Sequence, residues 1–323
     1  MSVKDSVRKI LEEGRGEFFS GETMAQQLKV TRNTIWKAIQ ALKEEGYDIE
    51  SVPNRGYALR QESDALSREE ILRYAATPSL SVFQTIDSTN EELKRQLGTG
   101  APHGTLVVAN QQTAGKGRRG RPFYSPSDTG VYFSVLLQLG LDFSDSVLVT
   151  TAASVAVCRA IEKVCGLSCG IKWVNDVYLN GRKICGILTE GVTDIETGEI
   201  SSIICGIGIN VRTTRFPGDV GDVASSLFPD GEKKGIRSRL VAEAYNELME
   251  ICNKLPDRSY MEEYRRRSIV LGKEIRYTDH GDWKNARVYG IDEDGGLMVD
   301  TEEGKRTLHS GEITIRVQKQ DMP

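Results

Sequence analysis

The chain has 323 residues, 39% hydrophobic and 27% charged, with a net charge of −4. That is ordinary for a globular protein and is enough chain for two or three domains around at least one sizeable core. A uniformly basic nucleic-acid binder is excluded, so any DNA contact must come from a local patch. No apolar run approaches the roughly 18 residues of a membrane span, and the opening MSVKDSVRKILEEG reads as an amphipathic helix without a signal-peptide core. The six cysteines are Cys158, Cys165, Cys169, Cys185, Cys205 and Cys252. Most lie in apolar settings such as VAVCRAI and SIICGIG, where cysteine behaves as a small buried hydrophobe. The Cys165/Cys169 pair has no nearby histidine or second cysteine pair for zinc. The expected compartment is the reducing cytoplasm, and no protein-built metal site or membrane partner is expected.

Residues 1–62 open with Val3, Val7, Ile10 and Leu11 at helical spacing. Ser20 is placed to cap a second short helix carrying Met24 and Leu28. Lys29-Val30 reads as a turn, Thr31 as the cap of a helix running to Glu45, and Gly46 as its left-handed terminus. Ile35, Ile39 and Leu42 form the buried stripe of that helix. YDIESVPNRGYALR then reads as a two-stranded wing turning at Pro53-Asn54-Arg55-Gly56. Three helices, the last two joined by a tight turn, followed by a hairpin make a winged helix-turn-helix. The outer side of its third helix offers Arg32, Asn33, Trp36, Lys37 and Gln40, and the wing offers Arg55. Arginine, asparagine, lysine and glutamine can read base edges or hold phosphates. The competing reading is a solvated helix face or a protein-interaction module, because residues 21–60 hold six Lys/Arg against five Asp/Glu.

QESDALSREE is a polar linker or helix start. A central domain is expected over residues 66–270, with strands at TLVVAN, VYFSVLLQL, KICGILTE and SIICGIGINV and a long helix at SVLVTTAASVAVCRAIEKVCG. From residue 271 onward KEIRYTD, NARVYGID, GLMVDTEEG and KRTLHSGEITIRV alternate short strands with turns, a small β-barrel-like unit filling 271–323.

Four clusters carry candidate chemistry. In Gly115-Lys116-Gly117-Arg118-Arg119-Gly120-Arg121 three glycines alternate with four cations. Glycine allows close backbone approach and leaves N–H groups free, and the cations suit a phosphate. The spacing is neither a Walker A loop nor a Rossmann fingerprint. Its bland reading is a flexible surface loop. Asp87-Ser88-Thr89-Asn90 reads locally as a helix cap. Lys172-Trp173-Val174-Asn175-Asp176 precedes an Asn180-Gly181 turn and a strand led by Lys183. Gly206-Ile207-Gly208-Ile209-Asn210 is a strand whose glycines permit close approach. Each cluster alone is more often a turn than a site.

In this order and spacing the clusters resemble the bacterial biotin–protein ligases of the bifunctional class, which also repress the biotin operon. The resemblance runs from the winged helix to HSGEITIR. Val174 stands where the family usually has proline, and Lys116 where it commonly has arginine. The resemblance implies an α+β architecture of three parts: the winged helix, a mixed α/β catalytic domain of the biotin/lipoate ligase type, and an SH3-like β-barrel.

It further implies that Ser88, Thr89 and Asn90 bond the ureido ring of biotin. Gln112 and the backbone from Lys116 through Gly117 to Arg118 would hold its ring and carboxylate end. Arg118 would clamp the carboxylate and acyl phosphate, and Lys183 would stabilise charge there. Gly186, Gly206 and Gly208 would let strands line the biotin slot. Arg121, Asn175 and Asn210 would place the adenylate, and Lys172 and Asp176 would orient phosphates, Mg²⁺ or the incoming lysine. The implied small molecules are biotin, ATP and Mg²⁺. The implied partners are a biotin carboxyl carrier protein, operator DNA and, with adenylate bound, a second copy of the chain. A lipoate or octanoate transferase, a ligand sensor with a dead enzyme domain, and a ligase with a vestigial winged helix are the rival readings. The empty glycine loop is expected to be mobile, because its cations repel one another.

Overall fold

The computed structural model describes residues 2–60, 63–140, 146–193, 200–218, 220–232, 235–279, 282–309, 311 and 313–315. The C-terminal end of the expected HSGEITIR strand lies outside them.

The N-terminal part follows its sequence signals closely. Helix α1 (Val3–Glu13) starts at a capping box made by Ser2 and Asp5. Helices α2 (Gly21–Leu28) and α3 (Arg32–Glu44) start at Ser20 and Thr31, whose hydroxyls accept from Glu22 N and Thr34 N. Lys29 turns the chain between them at φ +54°, and Gly46 ends α3 at φ +89°. Strands β1 (Ile49–Val52) and β2 (Gly56–Leu59) pair antiparallel with Ile49 opposite Leu59. Gly56 is required at the turn, since a Cβ there would lie 2.1 Å from the Phe19 carbonyl oxygen. Val7, Leu11, Met24, Ile35, Ile39 and Leu42 close a core separate from the rest of the chain.

After helix α4 (Arg68–Leu72) comes one seven-stranded sheet. Its strands are β3 (Leu80–Phe83), β4 (Leu106–Ala109), β5 (Gly130–Leu137), β6 (Gly170–Lys172), β7 (Asp176–Leu179), β8 (Arg182–Thr193) and β9 (Ile200–Asn210). They lie in the order β3-β4-β5-β9-β8-β7-β6, and only the β3/β4 pair is parallel. The turn between β7 and β8 has Asn180 at φ +49° and Gly181 at φ +74°, the left-handed pair that an Asn-Gly hairpin supplies.

Strand periodicity divides β5 between two faces. Val131, Phe133, Val135 and Leu137 join the main core, which includes residues of the long helices α6 (Ser146–Cys165) and α8 (Arg237–Cys252). Leu136 faces the other way and packs with Ile204 and Val107 under Leu93 of helix α5 (Thr89–Leu97). Further along that second face the paired residues become small. Ser134 lies opposite Gly206, and Gly208 lies between Tyr132 and Gly186. The sheet therefore opens a hollow where α5 begins.

Beyond helices α7 (Val220–Val223) and α9 (Tyr260–Arg267), the chain forms a five-stranded antiparallel sheet. Its strands are β10 (Glu274–Asp279), β11 (Asp282–Ile291), β12 (Leu297–Thr301), β13 (Gly304–Leu308) and β14 (Ile313–Ile315), in the order β13-β12-β11-β10-β14. Ile275, Tyr277, Val288 and Leu297 belong to the main core, and Trp173 Nε1 donates to the Gly295 carbonyl at 2.8 Å.

The N-terminal unit is fastened to the centre by polar contacts. Arg8 pairs with Glu69, Arg15 Nη2 lies 2.7 Å from Glu70 Oε1, and Gln84 Nε2 donates to the Glu45 carbonyl at 3.0 Å. Deeper in, the buried Arg237 guanidinium donates to Asp64 Oδ2 at 2.9 Å, to the Asp64 carbonyl at 2.6 Å and to Asn110 Oδ1 at 2.7 Å. Asp64 Oδ1 accepts the Ile236 and Arg237 N–H groups and so caps α8. All six cysteines are free thiols. Among the described residues no helix is long and apolar enough to cross a membrane.

Candidate ligand site

The hollow continues into a cavity of about 770 Å³ running from the N-terminus of α5 along the sheet toward α7 and the C-terminal sheet. Its wall includes Lys116, Arg118, Arg119, Arg121, Lys172 and Lys183, against Asp176 and Asp222 as the carboxylates among the described residues. Six cations facing two acids in a partly enclosed space suit a polyanion. Phe123, Trp173, Ile187, Leu188 and Ile207 give the same cavity an apolar side.

At the α5 end, Ser88 occupies the cap position but its hydroxyl makes no capping bond, so the expected capping role gives way. Asp87 instead ties the turn together. Its carboxylate accepts from Ser88 N at 2.7 Å and forms a two-nitrogen pair with Arg95 at 2.8 and 3.0 Å. The Arg95 guanidinium, more than the Ser88 amide, pulls the Asp87 carboxyl down to about 2. Gln112 Oε1 accepts from Thr89 N at 2.8 Å and Thr89 Oγ1 at 3.1 Å, and Gln112 Nε2 donates to Ser125 Oγ at 3.0 Å. Ser134 lies beneath, its Oγ 2.7 Å from Thr89 Oγ1 and 2.6 Å from Asn90 Oδ1. Asn90 Nδ2 donates to Glu190 Oε2 at 2.6 Å. These bonds form one network that orients Thr89 and Asn90.

At each strand glycine of the cavity an added Cβ would meet a protein side chain. A Cβ at Gly206 would lie 2.2 Å from Asn90 Oδ1, and one at Gly208 would lie 2.3 Å from the Phe123 ring. The ring also covers Gly186, 3.1 Å from a Cβ built there.

The cationic loop is a hydrogen-bonded turn. Gly117 N donates to the Arg121 carbonyl at 2.7 Å and Phe123 N to the Gly115 carbonyl at 2.8 Å, while Lys116 and Pro122 form a β-bridge. Arg119 and Gly120 take positive φ at the tip. Its first three cations have separate partners. Lys116 Nζ meets Glu91 Oε1 at 2.6 Å, Arg118 Nη1 donates to Asn175 Oδ1 at 3.0 Å, and Arg119 reaches Thr278 Oγ1 at 3.5 Å. The repulsion behind the expectation of a mobile loop is thus offset by separate partners.

Asn175 follows the Trp173–Val174 peptide, which is cis in this chain. Its carbonyl accepts from Ile187 N at 3.0 Å, and its Nδ2 donates to the Ile187 carbonyl at 2.9 Å. That leaves Oδ1 for Arg118, so Asn175 orients the arginine. Lys183 Nζ lies 2.6 Å from Asp176 Oδ1, and Lys172 sits over the Tyr178 ring at 5.7 Å. Burial, with a smaller push from Asp176, raises the Tyr178 hydroxyl to about 12.

The sequence-derived residues Ser88, Thr89, Asn90, Gln112, Lys116, Gly117, Arg118, Arg121, Lys172, Asn175, Asp176, Lys183, Gly186, Gly206 and Gly208 all line this one cavity. Asn210 does not. It is buried at the end of β9, where Nδ2 donates to the Ser225 carbonyl at 3.1 Å and its own carbonyl accepts from Leu227 N, so it anchors the segment after α7. Sequence reading missed Phe123, Ser134 and Asp222. Two had a signal, an aromatic in a polar loop and a hydroxyl inside an apolar strand; Asp222 had none. Away from the cavity, Arg32, Asn33 and Lys37 are exposed along α3 with Trp36, which is 50% exposed, and Arg55 stacks 4.0 Å over the Phe18 ring in the wing.

Three family models match the chain: an HTH domain over residues 4–58, the Biotin/lipoate A/B protein ligase family over 82–210, and the Biotin protein ligase C terminal domain over 270–316. The "Bifunctional ligase/repressor BirA" of Bacillus subtilis (strain 168) is 30% identical over 97% of this chain and 99% of its own length. The protein of the same name from Escherichia coli (strain K12) is 29% identical over 93% and 94%. The solved biotin protein ligase from Aquifex aeolicus in complex with biotin and ATP is 28% identical, covers 75% of this chain and 100% of its own, and superposes with a TM-score of 0.64. The chain belongs to the bifunctional biotin ligase/repressor family.

Proposed function

We propose that the cavity activates biotin as biotinyl-5′-adenylate and passes it to a lysine of a biotin carboxyl carrier protein. The observation that carries this reading is one cavity with a hydrogen-bonded polar end at Thr89, Asn90 and Gln112 and six cations beyond it. A carboxylate is a poor electrophile because oxide would have to leave. Its attack on the α-phosphate of ATP expels pyrophosphate and makes an acyl phosphate, from which AMP is a good leaving group for the lysine amine. Catalysis is then mainly charge stabilisation and positioning. Arg118, oriented by Asn175, clamps carboxylate and phosphate, Lys183 balances charge at the reacting carbon, and Arg121 and Lys172 hold phosphate oxygens. Asp176, drawn off Lys183 as phosphate arrives, is the group nearest to take the lysine proton. With two carboxylates in the described wall, Mg²⁺ has no all-protein cage and would come on the ATP phosphates, with Asp176 able to complete its shell.

Residues 1–62 serve DNA binding, 66–270 ligation and 271–323 the closing of the site. The near-balanced charge of the head points to weak binding by one copy, so operator recognition uses two copies brought together when adenylate fills the cavity. Pyrophosphate exchange is the decisive test: it requires biotin, and exchange supported equally by octanoate overturns the assignment.

A further inference from the structure

Glu91 is outside the cavity wall, yet it touches the wall from behind. It stands in the first turn of α5, where a carboxylate is favoured by the helix N-terminus. Its Oε1 takes Lys116 Nζ of the glycine loop at 2.6 Å and Lys94 Nζ of its own helix at 2.9 Å. Lys94 reaches on to Glu190 Oε1 at 2.8 Å, and Glu190 Oε2 accepts from Asn90 Nδ2 at 2.6 Å. A continuous chain of charge-assisted bonds therefore runs from the Asn90 amide, seated over Gly206, to the loop that carries Arg118. The hydrogen bond from Lys116 is the main reason the Glu91 carboxyl is held below its ordinary range. With Lys116 engaged by Glu91, this lysine acts on the loop's position rather than as a free cation.

We propose that Glu91 is a positioning residue: it latches the glycine loop to α5 through Lys116 and thereby sets how fast the acyl-phosphate intermediate escapes. The second half rests on the adenylate reading given above.

The test uses full-length protein and four variants: Glu91→Gln, Lys116→Gln, both together, and the charge swap Glu91→Lys with Lys116→Glu. One readout is release of labelled biotinyl-adenylate in a chase. The other is tryptic cleavage after Arg118 and Arg119 in ligand-free protein. Both sides of the pair are partly exposed, so each single substitution raises release and loop cleavage roughly two- to fivefold. The double variant is no worse than the larger single, the swap recovers part of the loss, and about 1 M salt erases the differences. A general loss of packing would speed cleavage elsewhere and would not respond to salt or the swap. Wild-type cleavage and release in Glu91→Gln, or single effects that multiply, overturn the latch. Absence of biotin-dependent exchange in the wild type instead overturns the functional reading, and with it the role in escape, while the cleavage arm still decides the latch.

Discussion

At Gly208 a single methyl group would meet the Phe123 ring at 2.3 Å, and the ring has a second glycine, Gly186, under its other edge. The β8–β9 pair at this point is therefore a seat for an aromatic side chain, and the seat has no slack. Gly208→Ala must lift the ring into the cavity. Overpacking of this kind costs about 1–3 kcal/mol, so calorimetric melting should shift down and titration calorimetry should show weaker biotin binding. Unchanged biotin affinity would mean the ring does not border the ligand. The polar residues here were readable in the sequence because their types name their chemistry. Phe123 and Ser134 carried a signal of type but not of role, because their roles depend on where the strand glycines fall, and register is not visible in a linear chain. Asn210 is the contrasting case: an amide next to a glycine-rich strand reads as a ligand group, and here its Nδ2 donates to the Ser225 carbonyl.

Among the elements, the winged helix was read almost completely. Each of its helices carries its own start signal in Ser2, Ser20 or Thr31 and closes a core local in sequence. Helix α8 has an equally clear apolar stripe, with Leu240, Val241, Leu248 and Ile251 buried, yet it lacks a local cap. Its cap is Asp64, brought from a distant stretch of the chain, so no start signal stands beside it. For α3 the exposed stripe makes a separable claim. Alanine at Arg32 or Lys37 should weaken DNA binding in gel-shift titrations, by about tenfold for a lost charge-assisted contact, and leave pyrophosphate exchange intact. Loss of exchange in either variant would argue that the head supports the ligase site.

At the scale of the whole molecule, the buried Asp64–Arg237 pair is a costly contact to break. Removing one partner from a buried pair typically costs about 3–5 kcal/mol, because the other charge stays buried. Asp64→Ala should lower thermal stability by that order. A chain beginning at residue 61 should keep biotin-dependent exchange, and one beginning at Ser67 should lose it; equal activity would show that Arg237 is satisfied without Asp64. The buried thiols set the alkaline limit. Burial pushes Cys169 and Cys252 up to about 12 and raises Cys158, Cys185 and Cys205 as well. Folded pKa values above the ordinary 9 leave stability intact below pH 9 and drain it as pH climbs toward 12. Denaturant midpoints measured at pH 8 and 10.5 should differ accordingly, and native protein at pH 8 should resist thiol alkylation at these five positions.

The seam made by Arg8, Arg15, Gln84 and the Asp64–Arg237 pair binds the head to the body at several points. A head on a loose tether could swivel to meet half-sites at many separations. A head fastened in this way is the arm of a ruler, and on the proposed two-copy reading the distance between the two α3 helices is set by protein geometry. The DNA must then carry its two half-sites at one spacing. Half a helical turn added between them, about 5 base pairs, would rotate the second site to the far side of the duplex, away from an arm held at these contacts.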